Sequence, residues 1–269
     1  MLAPATGLAR TYRQLGKPPG PMPSFAEQQL RYLTPGAIDF CADDLEAYAD
    51  GDTVGSWVAR RGDLTASATG TPAYTAPDAT VGTPAVAYAS SGNTFHATTA
   101  SIDWSTYNTA TLMSVCYTPT GAGAAVRGPS AMRAGASGSV PTAGGVTHYY
   151  FDDKVTGLHK ADGAPNFVFE RDNTVDAGQL QVIVTTHDTA APASDEIRVW
   201  INGAEETGTQ TNSSGGAPWQ ANLQALLGTR GGPNEGLDGR LHRFVAMPSA
   251  LTDAQALRAS RCLLYTART

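Results

Sequence analysis

The stretch Ile197-Arg198-Val199-Trp200-Ile201-Asn202-Gly203 decides how the rest of the chain is read. Side chains alternate across an extended strand, so Ile197, Val199 and Ile201 share one face. Asn-Gly follows at once, and both residues tolerate the positive φ that a two-residue hairpin turn requires. A half-buried strand running into a tight hairpin is a unit of an antiparallel sheet.

Similar segments extend in both directions. Leu180-Gln181-Val182-Ile183-Val184-Thr185-Thr186 precedes it, and Thr109 to Tyr117 (TATLMSVCY) alternates in the same way. Ile38-Asp39-Phe40-Cys41, Tyr149-Tyr150-Phe151, Phe167-Val168-Phe169, Leu226-Leu227-Gly228 and Leu241 to Met247 are further strand pieces. Thr118 to Thr147 is rich in Gly, Ala, Ser and Pro and reads as a long hairpin or a surface loop. One helix closes the chain. Thr252 and Gln255 form a capping box, Asp253 suits the helix dipole, and Leu257, Arg261 and Leu264 fall on one face. With 29 Gly and 17 Pro in 269 residues, spread without a period, the chain is built of short strands and turns. The expected fold is all-β: a two-sheet antiparallel jelly-roll sandwich with a short C-terminal helix.

Residues 1–35 differ from this body. Lys17-Pro18-Pro19-Gly20-Pro21-Met22-Pro23 is extended, because each proline fixes φ and biases its predecessor away from helix. Ser24-Phe25-Ala26-Glu27 then reads as a capping box opening a helix to about Leu33. The cations Arg10, Arg13, Lys17 and Arg31 face Glu27 alone, on a chain whose net charge is −6. Ordering such a segment costs more backbone entropy than its own apolar side chains return, so it needs a surface to lie on. The expectation is an arm, residues 1–35, that docks on a partner chain through Leu8, Arg10, Tyr12, Arg13, Leu15, Phe25, Leu30 and Tyr32. The alternative is an arm wrapped on its own domain, residues 36–269.

Mild acidity argues against nucleic-acid binding, which needs a basic face. Cys41, Cys116 and Cys262 have no CxxC spacing and read as buried small side chains. No secretory pattern and no long apolar run are present, so synthesis in a cytoplasm without membrane insertion is expected. His96, His148, His159, His187 and His242 show no H-x-H or H-E-x-x-H spacing. No nucleophile elbow, phosphate loop or calcium loop occurs, so neither cofactor nor metal is expected. Trp104, Tyr107 and Trp219 lie in turn-like segments.

The order of motifs resembles a known family. Asp50-Gly51-Asp52-Thr53-Val54-Gly55-Ser56-Trp57, Thr71-Pro72-Ala73-Tyr74 and Gly82-Thr83-Pro84-Ala85-Val86-Ala87-Tyr88 are similar to the opening strands of laminin-G-like, concanavalin-like domains of bacterial and phage proteins. The Asn202-Gly203 strand end, Leu237-Asp238-Gly239-Arg240-Leu241 and Leu251-Thr252-Asp253-Ala254-Gln255 are similar to its later segments. The resemblance covers roughly residues 36–265. Glycosidases of this fold carry E-x-D-x-x-E on one strand, a pattern absent here, so no catalytic residue is expected. The resemblance and the arm together imply a non-enzymatic virion structural protein, a capsid decoration, head fibre or tail appendage at the virion surface. In that reading it assembles with other virion proteins or with copies of itself. The alternative the resemblance implies is a lectin-like carbohydrate-binding module that meets cell-surface glycan, with Trp104, Tyr107 and Trp219 as the candidates for stacking on sugar rings.

Overall fold

The computed structural model describes residues 24–77, 82–89, 94–117, 127–134, 140–151, 154–163, 168–174, 178–192, 194–231 and 235–267. In chain order its elements begin with α1 (Phe25–Leu33), β1 (Ile38–Cys41), β2 (Ser56–Val58), β3 (Thr65–Thr69), β4 (Ala73–Thr75), β5 (Ala85–Tyr88), β6 (Phe95–Thr98) and β7 (Thr109–Tyr117). The middle of the chain forms β8 (Arg127–Ala134), α2 (Val140–Ala143), β9 (Gly145–Phe151), β10 (Lys154–Lys160), β11 (Val168–Thr174) and β12 (Leu180–Asp188). It closes with β13 (Ile197–Ile201), β14 (Ala204–Glu206), β15 (Thr209–Thr211), β16 (Leu223–Leu227), β17 (Gly239–Met247) and α3 (Asp253–Thr266).

The strands form two antiparallel sheets. An eight-stranded sheet runs β14-β13-β12-β7-β17-β5-β4, and β1 also pairs with β17. A nine-stranded sheet runs β15-β11-β10-β9-β8-β16-β6-β3-β2. The hairpin that opened the sequence reading is present: Ile201 pairs with Ala204, and Asn202 and Gly203 take φ of 51° and 84°. The expected two-sheet sandwich is therefore the fold, and the segment read as a long hairpin or a surface loop holds β8 and α2, with β8 paired antiparallel to β9.

Alternation along each strand builds a core on each face of the eight-stranded sheet. From β7, Ala110, Leu112 and Cys116 point between the sheets, while Met113 and Val115 point the other way. Ile197 and Val199 join the first set, and Trp200 joins the second. The second core lies between the eight-stranded sheet and the two helices, and it contains Leu30 and Leu33 of α1 with Ala256, Ala259 and Leu263 of α3. The buried face of α3 is therefore Ala256, Ala259, Ser260 and Leu263, not Leu257, Arg261 and Leu264. Small side chains on that face let the helix lie close to the sheet.

One β-bulge shapes β17. Against β7, Leu241 pairs with Cys116 and Arg243 with the next residue, Val115, so His242 is the extra residue. A bulge breaks strict alternation. Leu241 and Phe244 face the sandwich core, while Arg243 reaches across to α1.

Candidate functional site

The inner faces of a sandwich are ordinarily apolar, but here a polar seam crosses them. Ser114 of β7 and Thr185 and His187 of β12 meet Ser130, His148 and His159 of β8, β9 and β10, and all six are fully buried. The seam ends on Glu196, a carboxylate that can only accept. That fixes the proton on every ring. His159 Nε2–H donates to Glu196 Oε2 at 3.1 Å, and His187 Nδ1–H donates to His159 Nδ1 at 3.2 Å. Thr185 Oγ1–H donates to His187 Nε2 at 3.0 Å, and His148 Nδ1–H donates to Thr185 Oγ1 at 3.3 Å. Ser114 Oγ–H donates to His148 Nε2 at 2.8 Å, and Ser130 Oγ–H donates to Ser114 Oγ at 2.7 Å.

Every link thus points toward Glu196, and every imidazole is neutral. Burial disfavours the imidazolium and pushes His148 down to about 3 and His187 well below its ordinary value. His159 is lowered by the same burial, although Glu196 opposes it. Burial would raise Glu196, but hydrogen bonds from His159, Ser213 and Ser214 override it and hold the carboxyl at about 2. The fully buried groups of the seam place no reacting atom before a solvent-borne substrate. The histidines read as isolated in the sequence are therefore assembled by the strand order, which brings β9 and β10 across from β12.

Above the Glu196 end, four loops lock together. Trp219 stands edge-on to His159 with ring centres 5.4 Å apart, and its indole N–H donates to Thr109 O at 2.9 Å. The Trp219 N–H donates to Tyr107 O at 2.9 Å, and Thr189 Oγ1 donates to Ala217 O at 2.6 Å. Asp162 N–H donates to Pro218 O at 2.8 Å. The result is a rim built on the sandwich core. Trp219 is 0% exposed and Trp104 3%, so neither offers a ring face for stacking. Both are corrected from platforms to the packing beneath one. Tyr107, at 44%, is the exposed aromatic of the three, with Asp103, Asp162 and Asn222 exposed on the segments beside it.

Of the side chains assigned to the arm, Leu8, Arg10, Tyr12, Arg13 and Leu15 lie outside the described residues. Leu30 is wholly buried against this chain's own sheet, so it anchors α1 to the body and not to a partner. Phe25 and Tyr32 are 76% and 78% exposed. Ser24 caps α1 as expected, accepting from the Glu27 N–H at 3.2 Å. The Glu27 carboxylate does not turn back to complete the box. It takes two hydrogen bonds from the buried Arg243, at 2.7 and 3.0 Å, while Arg243 also grips Asp39 at 2.9 and 2.6 Å. Asp43 and Asp44 both face Arg60. Among the described residues, no helix is long and apolar enough to cross a membrane.

No protein-family model matches the chain, and no curated protein does. Solved structures share its fold. The binding domain of Paraclostridial mosquitocidal protein 1 superposes with a TM-score of 0.55 at 10% identity, over 87% of this chain and 53% of that one. Domain 4 of AbnA, a GH43 extracellular arabinanase from Geobacillus stearothermophilus solved with arabinotriose, gives 0.52 at 13% identity, over 83% and 97%. The binding domain of botulinum neurotoxin serotype G gives 0.50 at 9% identity, over 85% and 51%. The chain thus spans about half of the two toxin structures and nearly all of the arabinanase domain.

Proposed function

We propose that this chain is a non-catalytic carbohydrate-binding module whose site is the rim around Tyr107. The observation that carries the reading is the exposed Tyr107 ring on a hydrogen-bonded rim of a sandwich whose fold recurs in an arabinanase domain solved with arabinotriose. Sugar rings present apolar C–H faces that stack on an aromatic side chain, and neighbouring carboxylates and amides accept or donate to the hydroxyls. Asp103, Asp162 and Asn222 supply those groups here. A glycan array with the intact chain should give a defined set of polysaccharide or oligosaccharide hits, and Tyr107→Ala should abolish them while leaving the melting temperature unchanged. No hits, or binding indifferent to Tyr107→Ala, would overturn the reading.

A second proposal concerns attachment. The exposed Phe25 and Tyr32 support the reading that the N-terminal segment anchors the module in a larger assembly, such as a virion. Because α1 belongs to the fold, the test is deletion of residues 2–23 combined with Phe25→Ser and Tyr32→Ser, with particle association as the readout; full retention would count against anchoring.

A further inference from the structure

The bulge at His242 brings together three side chains that no linear motif links. Cys41 ends β1, Asp43 follows in the short 3₁₀ turn Ala42–Leu45, and His242 arrives from β17. Their ligand atoms all lie within 4.8 Å of one another. Cys41 Sγ is 3.3 Å from Asp43 Oδ2 and 4.0 Å from His242 Nε2. Ligand atoms around a tetrahedral zinc stand about 3.4–3.6 Å apart, given metal–ligand bonds of about 2.0–2.3 Å. Small side-chain rotations therefore close the observed triangle on an ion.

The imidazole is already oriented for this. His242 Nδ1 lies 2.7 Å from Pro84 O, a carbonyl that can only accept, so Nδ1 carries the proton. Thr83 Oγ1, which donates to Pro84 O at 3.3 Å, lies within hydrogen-bond distance of the same nitrogen, at 2.6 Å, and 3.4 Å from Nε2. Nε2 is left with a lone pair on the Cys41 side, the outer-shell arrangement that fixes a ligating histidine. Asp43 is also available. Arg60 is held by two hydrogen bonds to Asp44, at 2.9 and 3.2 Å, and stands 3.7 Å from the Asp43 carboxylate. Charge closes as well: a divalent ion with one thiolate, one carboxylate and a neutral imidazole is neutral overall, which suits a site whose neighbours Arg60 and Arg243 are already paired with Asp44, Glu27 and Asp39.

We propose that Cys41, Asp43 and His242 form a binding site for a zinc-type divalent ion, with its fourth position open to solvent beside the exposed Asp43. Thiolate with imidazole selects such an ion over magnesium or calcium. On binding, the Cys41 thiol releases its proton to solvent, one per ion, as the sulfur–metal bond forms.

Cobalt(II) titrated into the reduced, full-length chain is the probe. One equivalent should give a thiolate-to-cobalt charge-transfer band with tetrahedral d–d bands, and zinc should displace it. Cys41→Ser should lose the band, whereas Cys262→Ser should keep it. Because Cys41 and His242 are buried, Asp43→Asn serves as the variant that preserves the fold, checked by circular dichroism. Its affinity should fall by about tenfold or more. Absence of the band in the intact chain, its persistence in Cys41→Ser, or unchanged affinity in folded Asp43→Asn would each overturn the site.

Discussion

A hydrogen-bonded seam with only one consistent proton arrangement behaves as a unit. If His148 is replaced by Leu, the Ser114 hydroxyl keeps its donor but has no acceptor inside a closed core. An unsatisfied buried donor costs about 1–3 kcal/mol. Removing both partners leaves nothing unsatisfied at that link, so Ser114→Ala with His148→Leu should cost less than the two changes summed. Urea unfolding of the four-member cycle measures this coupling, and strict additivity would contradict the assigned proton order. This level was the least legible in the sequence. His148, His159 and His187 lie on three strands, and only the pairing of the sheets makes them neighbours. The tryptophans misled for a related reason. A turn-like sequence context marks a loop, but Trp104 and Trp219 turn inward beneath theirs, and local sequence carries no signal of that direction.

At the scale of elements, α1 is the informative case. Its cap and extent follow from local chemistry and were readable from Ser24 and Glu27. Its attachment was not, because Glu27 leaves the expected box for Arg243, which is 216 residues away. The helix packs through Leu30, so Leu30→Ala should destabilise by about 2–5 kcal/mol, as a large-to-small core change does. Tyr32→Ala on its exposed face should stay within about 0.5 kcal/mol; thermal or urea denaturation of both variants separates a built-in helix from a loose arm. Ion pairs divide in the same way. Arg243→Met strips the buried Glu27 and Asp39 of their shared cation and should cost about 3–5 kcal/mol. Arg198→Ala, which breaks half-exposed pairs to Glu205 and Asp253, should cost about 1 kcal/mol or less. Arg243 faces the helix because it shares a strand face with Val245 and Met247, while the bulge at His242 returns Leu241 to the sandwich core.

For the whole molecule, the buried histidines and carboxylates act in one direction. The histidines have an ordinary value of 6.5, and burial lowers His96 to about 4 and His148 to about 3 in the fold. Below pH 6.5 the unfolded chain therefore binds more protons than the native one, and stability falls as pH drops. Glu27 and Glu196, held at about 2 against 4.5, add a second loss as pH falls from 4.5 toward 2. Unfolding midpoints measured from about pH 8 to about pH 3 should decline in these two stages, and a profile flat between about pH 7 and about pH 4 would contradict the neutral seam. The sandwich itself was the most legible feature, because alternation in β7, β12 and β13 and the Asn202-Gly203 turn are local and agree with one another. Strand β17 has a consequence for how the chain is made. It pairs with β1, β5 and β7, so the eight-stranded sheet stays open until Met247 has left the ribosome. At about 5–20 residues per second, β1 waits roughly 10–40 s for its neighbour, and the early strands pass that interval with unpaired edges that chaperones would have to guard.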